Sequence, residues 1–142
     1  MPVNPVRLVA LRDTPLDVTE VLAALEDGTS GGVDLFIGRV RDHDHGQGVS
    51  GLVYEAHPSA LEELTKVAEE IADSFQVTAL AAVHRTGALD VGDIAVIVGT
   101  ASAHRADTFD ATRALIDTLK ARVPIWKHQR FADGSDEWVG LP

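Results

Sequence analysis

A chain of 142 residues can bury one ordinary hydrophobic core, so a single domain over residues 1–142 is expected. Its net charge of −10 leaves no general basic face for nucleic acid or an anionic membrane, and any anionic ligand must be met by a local basic pocket. The absence of cysteine removes disulfides, thiolate metal sites, persulfide carriers and cysteine nucleophiles. Met1-Pro2-Val3-Asn4-Pro5 lacks the blocks of a secretory leader and no apolar run approaches a membrane span, so a soluble cytoplasmic protein is expected.

Val6 to Arg12 sets Val6, Leu8 and Ala10 against Arg7 and Arg12, the alternation of a half-buried strand. Asp17 with Glu20 reads as a capping box before Val18, Val21, Leu22 and Leu25 at helical spacing, with Gly28 as the stop. After a Gly28–Gly32 loop, Val33 to Arg41 reads as an apolar strand with Arg39 and Arg41 on one face. Gly38 within it suggests close approach of another backbone or a ligand. Asp42–Gly48 is expected to be a polar, mobile loop, and Leu52 to His57 a strand.

Ser59 with Glu62 predicts the start of a second helix that packs through Leu61, Leu64, Ala68, Ile71 and Phe75 and exposes Glu62, Glu63, Lys66, Glu69, Glu70 and Asp73. Val77 to Val83 and Ile94 to Ala101 read as strands joined by the turn-rich Gly87–Asp93. A third helix carries Phe109, Thr112, Ile116, Leu119 and Val123 on one face. Ile125 to Phe131 then forms a hairpin that turns at Asp133-Gly134 and returns through Trp138. The fold class is α+β: a mixed, largely antiparallel sheet with three packed helices.

Leu119-Lys120-Ala121-Arg122-Val123-Pro124-Ile125-Trp126-Lys127 holds two of the three lysines, around a proline that ends a helix and an apolar pair that opens a strand. An ammonium beside apolar surface loses hydration, so its charged form is disfavoured and the amine becomes available as base or nucleophile. The structural alternative is that Lys120 and Arg122 face the carbonyls of a helix C-terminus while Lys127 points to water.

Ser102-Ala103-His104-Arg105 lies where a strand gives way to a helix, a place suited to phosphate or carboxylate, and Arg41 can join such a site or pair with a surface acid. Asp42-His43-Asp44-His45 offers metal donors, with His57 or His84 as a third. Alternate spacing in a glycine-rich loop converges poorly, so no metal and no cofactor is expected. His84 and His128 read as hydrogen-bonded structural histidines, and Trp138 as a core aromatic.

The ordered set Phe36-Ile37-Gly38-Arg39-Val40-Arg41, Tyr54-Glu55-Ala56-His57-Pro58, His84-Arg85-Thr86-Gly87-Ala88-Leu89, Val91-Gly92-Asp93, Ser102-Ala103-His104-Arg105, Lys120 to Lys127, and Asp133-Gly134 with Trp138-Val139 resembles the large, catalytic subunit of molybdopterin synthase. The resemblance runs from about Val33 to Gly140 and rests on order and spacing together. It implies a hammerhead-like α/β arrangement and an enzyme of molybdenum cofactor biosynthesis. In that family the large subunit binds cyclic pyranopterin monophosphate (precursor Z). A small ubiquitin-like subunit inserts a C-terminal Gly-Gly thiocarboxylate, and two successive sulfur transfers give the dithiolene of molybdopterin. A central dimer of large subunits, with one small subunit at each end, is implied as well.

By the same resemblance, Lys127 matches the essential lysine beside the pterin and Lys120 the lysine near the thiocarboxylate. Arg41, His104 and Arg105 match the anion pocket, the last two supplied across the dimer interface. The resemblance also implies that Trp126 and nearby cations tune Lys127. Gln129 departs from the pattern, because relatives commonly carry a glutamate two residues after the second lysine; a carboxylate that could orient Lys127 is then missing. Two alternatives stay open: a noncatalytic pterin- or partner-binding assembly subunit of the same fold, and an unrelated phosphate-binding enzyme built on His104-Arg105.

Overall fold

The computed structural model describes residues 4–139; the expectations on Met1 to Val3 and on Gly140 to Pro142 lie outside the described residues. In chain order the elements are β1 (Val6–Arg12), α1 (Val18–Ala24), β2 (Gly32–Arg39), β3 (His43–Asp44), β4 (Gln47–Ala56), α2 (Ala60–Ser74), β5 (Ala79–Arg85), β6 (Gly87–Asp90), β7 (Ile94–Ser102), α3 (Arg105–Arg122), β8 (Ile125–Phe131) and β9 (Asp136–Val139). They form two sheets where one was expected. A four-stranded sheet runs β1-β5-β7-β2, with only β1 and β5 parallel, and a five-stranded sheet runs β3-β4-β8-β9 with β6 also on β4.

Strand β5 is buried along nearly its whole length because both its faces are covered, which is why it reads as an unbroken apolar run. Leu80 and Ala82, with Val96 and Val98 of β7, pack against Leu64, Val67 and Ala68 of α2 and Ala111, Leu115 and Leu119 of α3. Ala79, Ala81 and Val83, with Ile97 and Ala101, face Val21 and Leu25 at the other side. A third core of Val40, Leu52, Tyr54, Leu89 and Ala95 sits where β4 and β6 meet the ends of β2 and β7. Each cluster follows the period of two along a strand, so the sheets are held by alternation of the two faces.

Several expectations are corrected by packing. Asp17 caps α1 by accepting from the Thr19 amide at 2.9 Å, but Glu20 does not close a capping box; its carboxylate accepts instead from Arg12 at 3.1 Å, and the helix ends before Gly28. Ser59 makes no side-chain cap, because its hydroxyl bonds His57 Nδ1 at 2.8 Å. Leu61 is 46% exposed and Phe109 58%: α2 turns Ala60, Leu64, Val67, Ala68 and Ile71 inward, and α3 turns Thr108, Ala111, Thr112, Leu115 and Leu119. The Asp42–Gly48 segment is a tight hairpin, with His45 at φ 50° and Gly46 at φ 79° between β3 and β4, and β4 begins at Gln47 rather than Leu52. At Gly38, a Cβ would lie 2.7 Å from Val96 Cγ1, so the close approach is to a neighbouring side chain. Trp138, 42% exposed, lies outside the core and stacks on His128 with ring centroids 4.3 Å apart.

The third helix is seated by hydroxyls as much as by apolar contact. Thr100 donates to the Thr108 carbonyl at 3.0 Å and so accepts from Thr112 at 2.9 Å. Thr108 donates to the His104 carbonyl at 3.1 Å and accepts from Ser102 at 2.6 Å. This buried chain fixes the helix start, and with it His104 and Arg105, against the end of β7. A Thr108→Val change keeps the volume but strands the Ser102 hydroxyl and removes one of the two donors to the His104 carbonyl, which keeps the Thr108 amide at 3.3 Å. It is expected to lower unfolding free energy by about 1–3 kcal/mol in urea melts, with the denaturant slope unchanged.

Candidate functional site

The site grows from the way α3 hands over to β8. Lys120 lies in the last turn of α3, whose end is marked by the Val123 amide donating to the Leu119 carbonyl at 3.0 Å. Pro124 then starts the turn into β8, and its carbonyl accepts from the His57 amide at 3.0 Å, tying the link to the end of β4. Lys127 follows as the third residue of β8, paired in register with Tyr54 of β4. Because alternate strand residues share a face, Ile125, Lys127 and Gln129 look the same way as Leu52, Tyr54 and Ala56.

A cavity of about 220 Å³ results, walled by Tyr54, His84, Lys120, Lys127, Val139 and the apolar Leu119, Val123 and Ile125. It continues on one side into a smaller recess of about 50 Å³ that shares Tyr54 and Lys127 and adds Arg39, Arg41, His43 and Gln129. On the other side an open groove shares Lys120, Val123 and Ile125 and adds His57, Ser59 and Trp126. The two lysines therefore stand between a cationic recess and an open approach. Trp126 faces the opposite side of β8, edge-on to His57 with centroids 6.2 Å apart, and does not wall the lysine cavity; the expected tuning of Lys127 by Trp126 has no contact to rest on.

Lys120 is drawn below the usual lysine range first by desolvation and then by the like charge of Lys127. The residue keeps exposed area, and the surrounding water screens part of both effects. Tyr54 is pushed up by burial and stays a neutral hydroxyl. His84 is 2% exposed, and its Nδ1 bonds the Arg85 carbonyl at 2.7 Å. A carbonyl only accepts, so Nδ1 carries the proton and Nε2 keeps its lone pair. Desolvation, with Lys120 adding to it, lowers the imidazole to about 4.

His84 is thus the structural histidine expected and also part of the cavity wall. Tyr54 is a further wall residue whose place the sequence hides, since only the β4–β8 register brings it opposite Lys127. Arg39 and Arg41 do line one recess, as their shared face suggested, and Arg41 also meets Asp44 at 3.3 Å. His104 and Arg105 are elsewhere: exposed, at the Ser102 end of β7, whereas Arg39 pairs with Ile94 at its start. Nine residues of strand at about 3.3 Å each separate the two ends by roughly 27 Å. One chain does not bring His104 and Arg105 to the lysines.

Comparison with known proteins fits this geometry. The sequence model of the family described as MoaE protein matches residues 11–122. The chain belongs to the MoaE family. It is 44% identical over 131 residues to molybdopterin synthase catalytic subunit 1 of Mycobacterium tuberculosis, covering 92% of this chain and 88% of that protein. It is 34% identical over 128 residues to the molybdopterin synthase catalytic subunit of Bacillus subtilis, covering 89% and 81%. Among solved structures, molybdopterin synthase from Staphylococcus aureus superposes with a TM-score of 0.85 at 32% identity, covering 92% of this chain and 96% of that one. The two-sheet, three-helix arrangement described above is therefore the MoaE fold.

Two outcomes follow from the charges in this MoaE site. Lys66 is held above the usual lysine range by Glu62 and Glu63, whereas Lys120 is held below it by burial and Lys127. Acylation with a small amine-reactive ester, followed site by site by mass spectrometry, is expected to reach half-maximal rate at a lower pH for Lys120 than for Lys66. Burying His84 neutral means that the unfolded chain binds a proton between pH 6.5 and about 4 that the folded chain refuses. Stability contributed by this residue is full above pH 6.5 and is lost as pH falls through that window, by up to roughly 3 kcal/mol. Urea melts are expected to show a shallower loss over that window in His84→Gln than in the parent chain.

Proposed function

We propose that this chain is the catalytic subunit of a molybdopterin synthase, an enzyme of molybdenum cofactor biosynthesis acting as one domain in the cytoplasm. It converts cyclic pyranopterin monophosphate to molybdopterin by taking two sulfurs in succession from the thiocarboxylated C-terminus of a small ubiquitin-like subunit. The observation that carries this reading is the placement of Lys120 and Lys127 on one cavity, open on the Lys120 side to a groove and closed on the Lys127 side by a cationic recess. Among the described residues no helix is long and apolar enough to cross a membrane.

The residues divide the work by their charge. The open groove beside Lys120 is the entry for the extended chain end of the partner. An ammonium disfavoured by burial and by a like charge is stabilised when an anion arrives, so binding of a thiocarboxylate draws a proton onto Lys120 and polarises the thioacid carbonyl. Lys127, beside the neutral Tyr54 hydroxyl, acts on the pterin as base or as transient covalent partner. Arg41 holds the phosphate and stabilises the charge that develops as the cyclic ester opens. His104 and Arg105 complete the anion pocket from a second copy, because the length of β7 keeps them from their own chain's cavity. The chain contains no cysteine, so the sulfur must arrive on another molecule.

Reconstitution tests this directly: purified chain, thiocarboxylated small subunit and cyclic pyranopterin monophosphate, with dithiolene formation followed by mass spectrometry. Lys127→Ala is expected to abolish turnover with the fold intact, and Arg105→Ala to weaken precursor binding. Substantial turnover by Lys127→Ala would remove it from the mechanism. If His104 and Arg105 serve the neighbouring copy, equal mixing and subunit exchange of Lys127→Ala with Arg105→Ala, at precursor too dilute for Arg105→Ala alone to turn over, restores about a quarter of parental turnover, one intact site in half of the dimers. No restoration on mixing would place both residues outside a shared site. Tight binding of precursor and partner without product would favour the noncatalytic assembly subunit.

A further inference from the structure

The carboxylate that Gln129 fails to supply is present in the structure, carried by a different strand. Gln129 is buried, two residues beyond Lys127 on the same face of β8, and lines the recess that holds Arg41 and Lys127. Its amide nitrogen donates to Asp44 Oδ2 at 2.7 Å and to Glu137 Oε1 at 3.2 Å. Asp44 comes from the β3–β4 hairpin, and its side chain is only 14% exposed. Its other oxygen accepts from Arg41 Nη2 at 3.3 Å, and His45 Nε2 lies 3.7 Å from the same atom. Glu137 belongs to the exposed edge strand β9 and can turn to water.

We propose that Asp44 is a positioning residue for Lys127: anchored by Gln129, which lines the same recess as Lys127, its carboxylate takes the place of the glutamate that the family pattern sets at position 129. An amide at 129 and a carboxylate at 44 make one hydrogen bond and one negative charge, as would a carboxylate at 129 and an amide at 44. Two carboxylates there would repel each other with Glu137 beside them, and two amides would leave the cations of the recess only the exposed Glu137 as a counter-charge. The hairpin is therefore part of the site. Its tight turn at His45-Gly46 fixes where the Asp44 carboxylate lies, which a mobile loop would not do. The groups around Asp44 agree: its acidity is strengthened first by the Gln129 hydrogen bond, against some burial, and then by the charges of His45, Lys127 and Arg41.

Asp44 touches Arg41 as well as influencing Lys127, and the two routes are separable. A loss acting through Arg41 weakens hold on the phosphate and raises KM; a loss acting through Lys127 lowers kcat. This inference rests on the proposed synthase reaction for its kinetic readout, so a second readout is taken without substrate. The full chain is prepared as Asp44→Asn, Gln129→Glu and the exchange of both, each checked for parental thermal unfolding. Lys127 acylation at fixed neutral pH and dithiolene formation with the thiocarboxylated small subunit are then measured.

Asp44→Asn is expected to raise the acylation rate of Lys127 several-fold and to lower kcat by about tenfold or more, with KM changed less. The exchanged pair, Asn at 44 with Glu at 129, is expected to recover kcat and acylation to within about threefold of the parent, although each single change is impaired. An acylation rate unmoved by Asp44→Asn would overturn the proposal. So would an exchanged pair no better than Asp44→Asn, or a loss confined to KM. Acylation that responds and is rescued in a chain that makes no dithiolene would keep Asp44 as the positioning residue and remove the synthase reading instead.

Discussion

Two ammonium groups facing one cavity repel each other and lose water, and a flexible chain would relieve both costs by swinging one of them away. What prevents this is the link Val123-Pro124-Ile125. The helix amide of Val123 donates to the Leu119 carbonyl and the strand amide of Ile125 to the Val123 carbonyl, and the Pro124 carbonyl is taken by His57 at the end of β4. Lys120 is thereby fixed to the end of a helix packed on one sheet, and Lys127 to a strand in the middle of the other. Desolvation, and after it the like charge of Lys127 across the shared cavity, lower Lys120, and that covalent shortness keeps both in force. Stability elsewhere in the fold, chiefly α3 against β7 and β8 against β4, holds the strained electrostatics in place.

The cavity balances its charges by degrees of solvent contact. In a chain of net charge −10 the cations Arg39, Arg41, Lys120 and Lys127 converge on adjoining recesses, while Lys66 and Arg122 are absorbed by Glu62, Glu63 and Glu70 on the outer helices. Two carboxylates, Asp44 and Glu137, accept from the Gln129 amide at the edge of these recesses, and Asp44 is the one that also meets Arg41. A full set of ion pairs would have satisfied the recess and left nothing for an anionic substrate to replace. His84 adds an uncharged polar wall to the cavity that the lysines share, its proton tied to a backbone carbonyl.

The sequence showed most of the architecture because the strong signals were local. Val6–Arg12 was found to the residue, the long helices and the final hairpin stand where periodicity and Asp133-Gly134 placed them, and Lys120 at a helix end follows from Pro124 alone. The errors share one cause, which is that packing partners set the phase of a helix and the length of a strand. Leu61 and Phe109 are apolar and at helical spacing, yet α2 and α3 are rotated by contacts with β5, β7 and each other, so that Thr108 is buried beside the expected Thr112 while Phe109 stays exposed. The polar Asp42–Gly48 stretch looked like a loop because its strand partner, Gln47-Gly48, is itself polar. The lysines and Arg41, which the structure brings to adjoining recesses, and His104 and Arg105, which it does not, were recognisable as candidates from the order of motifs. Tyr54 and Asp44 were not, because their roles depend on the β4–β8 register and on a hydrogen bond between residues 85 positions apart.

The same long-range geometry explains why part of the candidate site lies out of reach within one chain. Strand β7 is a rigid spacer, buried between its neighbours along almost its whole length, and no change of side-chain rotamer can bring His104 from its end to the recess at its beginning. The buried hydroxyl chain from Thr100 to His104 removes the other escape, an unwinding of the first turn of α3, because it would strand several polar groups at once. His104 and Arg105 are therefore presented outward in a fixed geometry, beside an edge strand, β2, that carries the exposed Val33, Phe36 and Ile37. A rigidly displayed histidine–arginine pair next to apolar surface suits a contact made with another chain, whereas a pair meant to close over its own cavity would need a hinge that this end of the fold does not have.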